Sequence, residues 1–233
     1  MKDRQLIDEQ LAYYRARAPE YDQWFQRQGR YDRGPEHHAE WFREVATVET
    51  ALRPIVAGKE VLELACGTGL WTRRMADASA RILAVDASEE AIAINQGCLG
   101  ASNVEYCLAD VFSWTPTGTF DVVFFSFWLS HVPATRFDEF WATVRSALRP
   151  GGLAFFIDSL LEPTSTARDH DSPDKSGVVR RKLNDGREFH IVKVFYEPSE
   201  LEHRLSKNGW RSWVRSSGKF FLYGSAMAVE DVD

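Results

Sequence analysis

The sequence has few cysteines, no long apolar run and no excess of positive charge. Its 233 residues include three cysteines, at positions 66, 98 and 107, and none belongs to a CxxC pair. This number and spacing argue against a disulfide framework and a zinc site, and fit a reducing compartment. No stretch approaches the roughly 18 apolar residues of a membrane span, and the opening MKDRQLIDEQ lacks an apolar signal core. We therefore expect a cytoplasmic protein.

Acidic residues outnumber basic ones by 34 to 28, which leaves a formal net charge of -6. Such a chain has no overall field to attract a phosphate backbone or an anionic membrane surface. We therefore expect neither nucleic acid nor a membrane as a partner. Hydrophobic residues make up 44% of the chain, which is enough to bury one large core.

The middle of the chain alternates short apolar runs with amphipathic segments, which indicates an α/β fold. Several runs are apolar almost throughout, as strands buried on both faces of a parallel sheet are. Segments with helical spacing lie between them, and Ser88 is a plausible N-cap for one of these. The predicted strands are residues 59–64, 81–85, 104–108, 120–125 and 153–157, and the predicted helices are 6–25, 36–53, 71–78, 88–99 and 136–148.

After residue 158 the pattern changes. Residues 161–177 are rich in Pro, Ser, Asp and Thr, which predicts a loop. Two strand-like runs then flank Asn184-Asp185-Gly186, which predicts a β-hairpin over 178–195. We divide the predicted single domain into a helical cap (1–55), a core (56–158), a loop and hairpin insertion (159–197), and a C-terminal part (198–233) with a helix at 201–208 and strands at 210–215 and 219–227.

A glycine turn follows the first predicted strand. Residues 61–72 read VLELACGTGLWT, a buried strand, a turn at Gly67 and Gly69, and a helix start. Glycines in such a turn let a ligand approach the backbone closely. Nicotinamide-binding folds place a third glycine where this chain has Thr72, so a pyrophosphate ligand is disfavoured.

Acidic residues end the next two predicted strands. Asp86 ends the second, where a carboxylate can accept both ribose hydroxyls of an adenosine cofactor. Asp110 follows the third and is a candidate for the adenine amino group, with Phe112 packed on the base. Together with the glycine turn, these positions predict an adenosine site at one edge of the sheet.

These residues, with Glu63 before the turn and the later segment 148–152 (LRPGG), resemble the class I S-adenosylmethionine-dependent methyltransferases. The resemblance implies an α/β, Rossmann-like sheet, mostly parallel and seven-stranded with an antiparallel C-terminal strand, to which the helical cap and hairpin are added. It implies S-adenosylmethionine as cofactor, S-adenosylhomocysteine as product, and no metal.

The resemblance also assigns roles to residues. Gly67 and Gly69 would approach the methionine part of the cofactor, Asp86 would hold the ribose, Asp110 the adenine, and Glu63 would support the turn from behind. The cofactor-site residues implied are Tyr14, Tyr21, Glu63, Ala65, Gly67, Gly69, Trp71, Asp86, Ala87, Asp110, Val111, Phe112 and Phe127.

The substrate is expected near the loop after the fourth strand, because ligands of open α/β sheets bind outside the carboxyl ends of the strands. His131 in this loop is a candidate general base, or a residue that ties the loop down by hydrogen bonds. Trp128 either walls the pocket or packs in the core. Asp158 ends the fifth strand, and we interpret it as structural rather than as a metal ligand.

Alternation along the hairpin puts Arg181 and Lys193 among apolar side chains. A three-residue loop with Gly186 left-handed points both cations the same way, whereas a two-residue loop points them to opposite faces. Cations on an apolar face are costly unless paired. They therefore bind an anionic ligand or pair with local carboxylates, such as Glu188 or those of residues 169–174.

The chain also resembles, end to end, the phosphonate O-methyltransferases of the dehydrophos type. The segments that carry this likeness are YYRARAPEYD, LELACGTGLWT, FFSFWLSHVP, FDEFWATVRSALRPGG, VVRRKLNDG and IVKVF. By that resemblance Tyr31, Arg181 and Lys193 fall where an anionic phosphonate would be held, with Trp128 and His131 beside it.

We therefore expect a small-molecule methyltransferase, monomeric or homodimeric, that methylates an anionic phosphonate or carboxylate oxygen by in-line transfer. Such an oxygen is already deprotonated and needs no strong base. The alternatives are an O- or N-methyltransferase of a phenol or heterocycle with His131 as base, and a methyltransferase of a macromolecule.

Overall fold

Seven strands form one sheet in the computed structural model, which describes residues 2–170 and 177–229, and two more form a hairpin. The strands in chain order are β1 (Glu60–Leu64), β2 (Arg81–Asp86), β3 (Val104–Leu108), β4 (Phe120–Ser126), β5 (Leu148–Ser159), the hairpin strands β6 (Val178–Lys182) and β7 (Glu188–Val192), β8 (Trp210–Ser216) and β9 (Phe221–Ala228). The sheet order is β3-β2-β1-β4-β5-β9-β8. The first five strands pair in parallel, whereas β9 is antiparallel to both neighbours. The predicted Rossmann-like sheet is confirmed.

Helices lie between the strands and before the first one. Ser88 caps one of them as predicted, because its Oγ accepts a hydrogen bond from the Ala91 N–H at 3.1 Å. The helix predicted over 6–25 is two helices separated by a 3₁₀ turn at Ala18–Glu20, where the ring of Pro19 cannot donate a backbone hydrogen bond. The α-helices are α1 (Lys2–Arg17), α2 (Tyr21–Phe25), α3 (Pro35–Val56), α4 (Thr72–Ala76), α5 (Glu89–Cys98), α6 (Phe137–Ser146) and α7 (Pro198–Lys207).

Both faces of the sheet are buried. Phe124 and Phe155 pack on the face that α3 covers, and their neighbours Phe125 and Phe156 pack on the face that α6 and α7 cover. Side chains alternate along a strand, so burial of both faces requires the continuous apolar runs seen in the sequence. Among the described helices, none combines the length and the apolar character needed to cross a bilayer.

The hairpin has the three-residue loop. The Leu183 N–H donates to the Arg187 carbonyl at 2.9 Å, and Gly186 has a φ of 92°. The second strand ends at Val192, earlier than predicted. The Lys193 N–H still donates to the Gly177 carbonyl at 2.9 Å, in the hairpin register, but the Val194 N–H donates to the Ser130 carbonyl of the loop after β4 at 2.8 Å. The hairpin is thereby attached to the loop at the carboxyl end of β4.

Helix α1 packs on β7 and joins it to the loop after β4. The amide of Gln10 accepts from the Val192 N–H at 3.0 Å and donates to the His131 carbonyl at 3.1 Å. The segment predicted as a loop over 161–177 contains a 3₁₀ turn at Pro163–Ser165, and residues 171–176 lie outside the described part of the chain.

A chain of buried hydrogen bonds lies beneath the glycine turn. The Tyr106 hydroxyl donates to Asn95, Asn95 donates to the Thr72 hydroxyl, and Thr72 donates to the Glu63 carboxyl at 2.7 Å. Gly69 belongs to this arrangement, because a Cβ there would overlap the Asn95 side chain. Burial raises the pKa of Glu63 to about 8.

We predict that Glu63→Gln flattens the pH dependence of stability. Because the folded pKa of about 8 lies above the ordinary value, the folded state binds the extra proton between those two values. The contribution of Glu63 to stability is therefore complete at low pH and is lost as the pH rises through the folded pKa. The slope is at most about 1.4 kcal/mol per pH unit.

Urea unfolding of the wild type, Glu63→Gln and the exposed control Glu89→Gln across this pH range checks the prediction. The wild type and the control should lose stability relative to Glu63→Gln as the pH rises. Three parallel curves would contradict it.

Candidate active site

The chain turns sharply at the carboxyl ends of β1 and β4, which are neighbours in the sheet. Ala65 has a φ of 54° and Phe127 a φ of 51°, left-handed values that residues other than glycine rarely adopt. Such backbone costs on the order of 1–3 kcal/mol and is concentrated at functional sites. The two turns face a crevice that α1 closes from the other side.

The first cavity lies in this crevice and has a volume of about 110 Å³. It brings together most of the residues predicted for the cofactor. Helix α1 adds Ile7 and Leu11, which sequence reasoning missed. The predicted cofactor-site residues that line it are Tyr14, Tyr21, Ala65, Gly67, Asp86, Ala87, Asp110, Val111, Phe112 and Phe127.

Carboxylates at the strand ends organise the backbone around this cavity. Asp86 accepts hydrogen bonds from the N–H groups of Gly67 and Ser88, both at 2.8 Å. Burial raises the pKa of Asp86, and these two bonds oppose the rise. Asp110 accepts from the Phe112 N–H at 2.9 Å in the same way.

The residues of the first cavity fit an adenosine-containing cofactor. The Asp86 carboxylate lines the cavity and has lone pairs left for ribose hydroxyls. Gly67 has open space where a Cβ would stand, so a ligand can approach its backbone. Val111 and Phe112 provide an apolar wall of the kind on which a base packs.

Three residues of the predicted cofactor set lie behind the turn rather than in the cavity. Glu63 is buried under Thr72, and Gly69 faces Asn95. Trp71 is 2% exposed and packs with its ring centroid 6.4 Å from that of Phe25. Their side of the turn faces the core, which fits the supporting role expected of Glu63.

The second cavity adjoins the first and has a volume of about 60 Å³. Tyr14, Tyr21 and Phe127 line both cavities and form the wall between them. Four residues predicted at the acceptor site line the second cavity, and these are Tyr31, His131, Arg181 and Lys193. The structure places Trp128 at the first cavity instead, with its ring centroid 5.1 Å from that of Phe112.

Both ring nitrogens of His131 have partners. Nδ1 lies 2.6 Å from the Val192 carbonyl, and Nε2 lies 2.7 Å from the Tyr14 hydroxyl. A carbonyl only accepts hydrogen bonds, so Nδ1 carries the proton and Nε2 accepts from Tyr14. Burial and the nearby Lys193 ammonium hold the pKa of His131 well below its ordinary value. The imidazole is therefore neutral and positions the Tyr14 hydroxyl at the wall between the cavities.

The two hairpin cations differ in their partners. The Lys193 Nζ lies 3.5 Å from Asp158 and donates to the Ser130 hydroxyl at 2.7 Å. Asp158 also accepts from the Ser130 N–H at 2.8 Å, which agrees with its predicted structural role. Glu188, expected as a local partner, pairs with Arg180 on the other face of the hairpin at 3.0 Å.

Arg181 is 8% exposed, and within the described residues it has no carboxylate within 4.0 Å. Its Nη1 donates a long hydrogen bond to the neighbouring Arg180 carbonyl at 3.4 Å. Burial lowers the pKa of Arg181, and the Arg17 guanidinium lowers it further. Of the residues 169–174 considered as partners, Asp169 pairs with Arg30, and 171–174 lie outside the described residues.

Sequence reasoning missed Arg17, which lines the second cavity, and Gln10, which anchors α1. The spacing of Tyr13, Arg17 and Tyr21 was the available signal for Arg17, since residues four apart share a helix face. Across the described part of the chain, no group of three or more His, Cys, Asp or Glu side chains is placed to hold a metal ion.

The chain is similar to known methyltransferases. Residues 61–152 match the family described as "Methyltransferase domain". Among curated proteins, the ubiquinone biosynthesis O-methyltransferase of Aromatoleum aromaticum is 35% identical over 105 residues, 43% of this chain and 44% of that protein. The match thus spans less than half the length of that relative.

Solved structures of DhpI match over almost the whole chain. The DhpI–SAH complex is 40% identical with a TM-score of 0.77 and covers 96% of this chain and 97% of that one. The DhpI–SAM–HEP complex is 41% identical with the same TM-score and covers 95% and 97%. The resemblance seen in the sequence is confirmed, and the chain belongs to the class I S-adenosylmethionine-dependent methyltransferase family.

Proposed function

We propose that this protein transfers a methyl group from S-adenosylmethionine to an anionic oxygen, a phosphonate or a carboxylate, of a small acceptor. The observation that carries the proposal is the wall shared by the two cavities. Tyr14, Tyr21 and Phe127 separate a cavity that fits an adenosine cofactor from one that concentrates buried cations. Because the two cavities share these three residues, a cofactor in the first and an acceptor in the second would lie next to each other.

The relatives support both halves of the proposal. DhpI, which is similar over nearly its full length, forms complexes with SAH and with SAM and HEP. The curated relative from Aromatoleum aromaticum is an O-methyltransferase, which supports oxygen as the accepting atom. The cations of the second cavity support a negative charge on that oxygen.

The reaction asks mainly for positioning. When bound, S-adenosylmethionine supplies an electrophilic methyl carbon. The Asp86 carboxylate accepts hydrogen bonds from the ribose hydroxyls of the cofactor in the first cavity, and the backbone of Gly67 lines the same cavity. Arg181 and Lys193 orient the acceptor anion, since charge-assisted hydrogen bonds from two directions fix an anion in place. An acceptor oxygen that is already ionised uses its own electron pair, so no side chain has to remove a proton.

His131 serves this reaction by holding Tyr14. Burial raises the pKa of Tyr14 well above its ordinary value, so its hydroxyl stays neutral at the wall. A phenolic or heterocyclic acceptor would instead need a base, and the Tyr14–His131 hydrogen bond is the one contact that favours this second candidate. To act as that base, His131 would have to release the Tyr14 hydroxyl from Nε2 and bind the hydroxyl or N–H group of the acceptor there instead.

We predict that Arg181→Gln weakens binding of methylphosphonate about 10- to 100-fold, because a buried charge-assisted hydrogen bond is lost. Calorimetry with S-adenosylhomocysteine present measures this affinity, followed by turnover with S-adenosylmethionine and phosphonate or carboxylate acceptors. Arg180→Gln is the matched control, since Arg180 lies next in sequence and pairs with Glu188 on the opposite face. It should bind the anion as the wild type does.

A wild type that binds S-adenosylhomocysteine but no small anion would redirect the search to uncharged acceptors. A wild type that does not bind S-adenosylhomocysteine would contradict the whole proposal. Equal losses in the Arg180 and Arg181 variants would attribute the effect to the hairpin rather than to one guanidinium.

We predict that His131→Asn slows methylation of an anionic acceptor less than about 10-fold, whereas loss of a general base costs about 10²- to 10⁴-fold. Since the pKa of His131 is held below its ordinary value, its titration adds no change of rate above neutral pH. The pH dependence of kcat/KM for wild type and variant measures both effects. The exposed His190 provides the control variant His190→Asn. A loss above 100-fold confined to phenolic acceptors would favour the second candidate.

A further inference from the structure

Arg17 is a buried cation that the proposed reaction has not yet used. It is the last residue of α1, is 8% exposed and lines the second cavity. Its guanidinium carbon lies 5.5 Å from the ring centroid of Tyr13 and 4.9 Å from that of Tyr21. The two rings position the group without neutralising its charge.

The polar contacts of Arg17 are incomplete. Its Nη2 donates to the Tyr31 hydroxyl at the long distance of 3.4 Å, and its buried Nε has no hydrogen-bond partner. Among residues 2–170 and 177–229, no carboxylate lies within 4.0 Å of it. A buried guanidinium with unpaired N–H groups and no counter-ion costs free energy of folding. A bound anion with several oxygen atoms would accept the missing hydrogen bonds and balance the charge.

Like charges gather in the second cavity. Among the described residues, neither Arg17 nor Arg181 has a carboxylate partner within 4.0 Å, whereas Asp158 balances the charge of Lys193. Burial lowers the pKa of both Arg181 and Lys193, and the charge of Arg17 lowers each further, as expected of cations brought together. Glu162 also lines the cavity, but its carboxylate accepts from the Thr164 N–H and hydroxyl. Two positive charges are therefore left for a ligand.

Arg17 also connects the two cavities mechanically. The helix that ends with it lines the first cavity through Gln10, Leu11 and Tyr14. Arg181 belongs to the hairpin, on which the same helix packs. An anion held by Arg17 and Arg181 at once would tie α1 to the hairpin and hold it over the first cavity.

We propose that Arg17 is a second guanidinium of the acceptor site, that the site prefers a doubly charged headgroup over a singly charged one, and that this contact couples anion binding to cofactor binding. The inference rests on the proposed function, whose anion site it extends. By linkage, an anion that tightens the cofactor is itself tightened by the cofactor to the same degree.

Calorimetry tests this with methylphosphonate and acetate at about pH 8.5, where the phosphonate is close to a dianion. In the wild type, saturating methylphosphonate should tighten S-adenosylhomocysteine about 5- to 10-fold, and acetate should do so less. Arg17→Gln should bind methylphosphonate at least about 10-fold more weakly than the wild type does. The variant should no longer prefer methylphosphonate over acetate, and methylphosphonate should no longer tighten its binding of S-adenosylhomocysteine. It should still bind S-adenosylhomocysteine alone within about 3-fold of the wild type.

Two further variants complete the design. Arg4→Gln removes an exposed arginine from the same helix and should behave as the wild type. Arg17→Lys keeps the charge without the planar fork and should recover part of the methylphosphonate affinity. If Arg17→Gln unfolds at a lower temperature than the wild type, the comparison of Arg17→Lys with wild type decides in its place.

The outcomes separate this inference from the proposed function. If Arg181→Gln abolishes anion binding while the Arg17 variants bind and couple as the wild type does, Arg17 is not part of the site, and the proposed function stands. If the wild type binds neither anion, the proposed function fails first. If Arg17→Gln weakens S-adenosylhomocysteine alone as much as it weakens the anion, Arg17 only supports α1, and the coupling is refuted.

Discussion

Backbone N–H groups at the carboxyl ends of parallel strands must find acceptors once the chain leaves the sheet, and buried carboxylates meet that need here. Asp86 accepts from Gly67 and Ser88 and so holds the turn after β1 against the end of β2. Asp158 accepts from Ser130 and pairs with Lys193. The positions of both cavities follow from these bonds, because each carboxylate ties loops of different strands to one point.

Helix α1 depends on the same edge of the sheet. Gln10 bonds to the backbone of His131 and of Val192, so the helix crosses from the loop after β4 to the hairpin. Tyr14 then lies over His131 and borders both cavities. Loops at the ends of the sheet strands line the first cavity, the hairpin contributes Arg181 and Lys193 to the second, and α1 lines both.

Much of this arrangement was predictable because it rests on local signals. The apolar runs, the glycine turn and the strand-end aspartates predicted the sheet and most of the first cavity. Alternation along the hairpin left the directions of Arg181 and Lys193 to the length of the loop, and the structure has the three-residue loop with a left-handed Gly186 that points both the same way. The break at Pro19 was missed, since an apolar pattern that continues through residue 25 masks one lost donor.

Periodicity and turn chemistry act over a few residues, and they were enough to predict the fold, the turn that faces the first cavity and the placement of Arg181 and Lys193 among apolar side chains. Which side chains meet is seen only once the chain is folded. It placed Trp128 against Phe112, paired Lys193 with Asp158, engaged both nitrogens of His131 and left Arg17 without a carboxylate in the described part of the chain. These outcomes depend on contacts between separate segments of the chain, and the contact of Tyr14 with His131 joins residues 117 positions apart, so no local pattern encodes them.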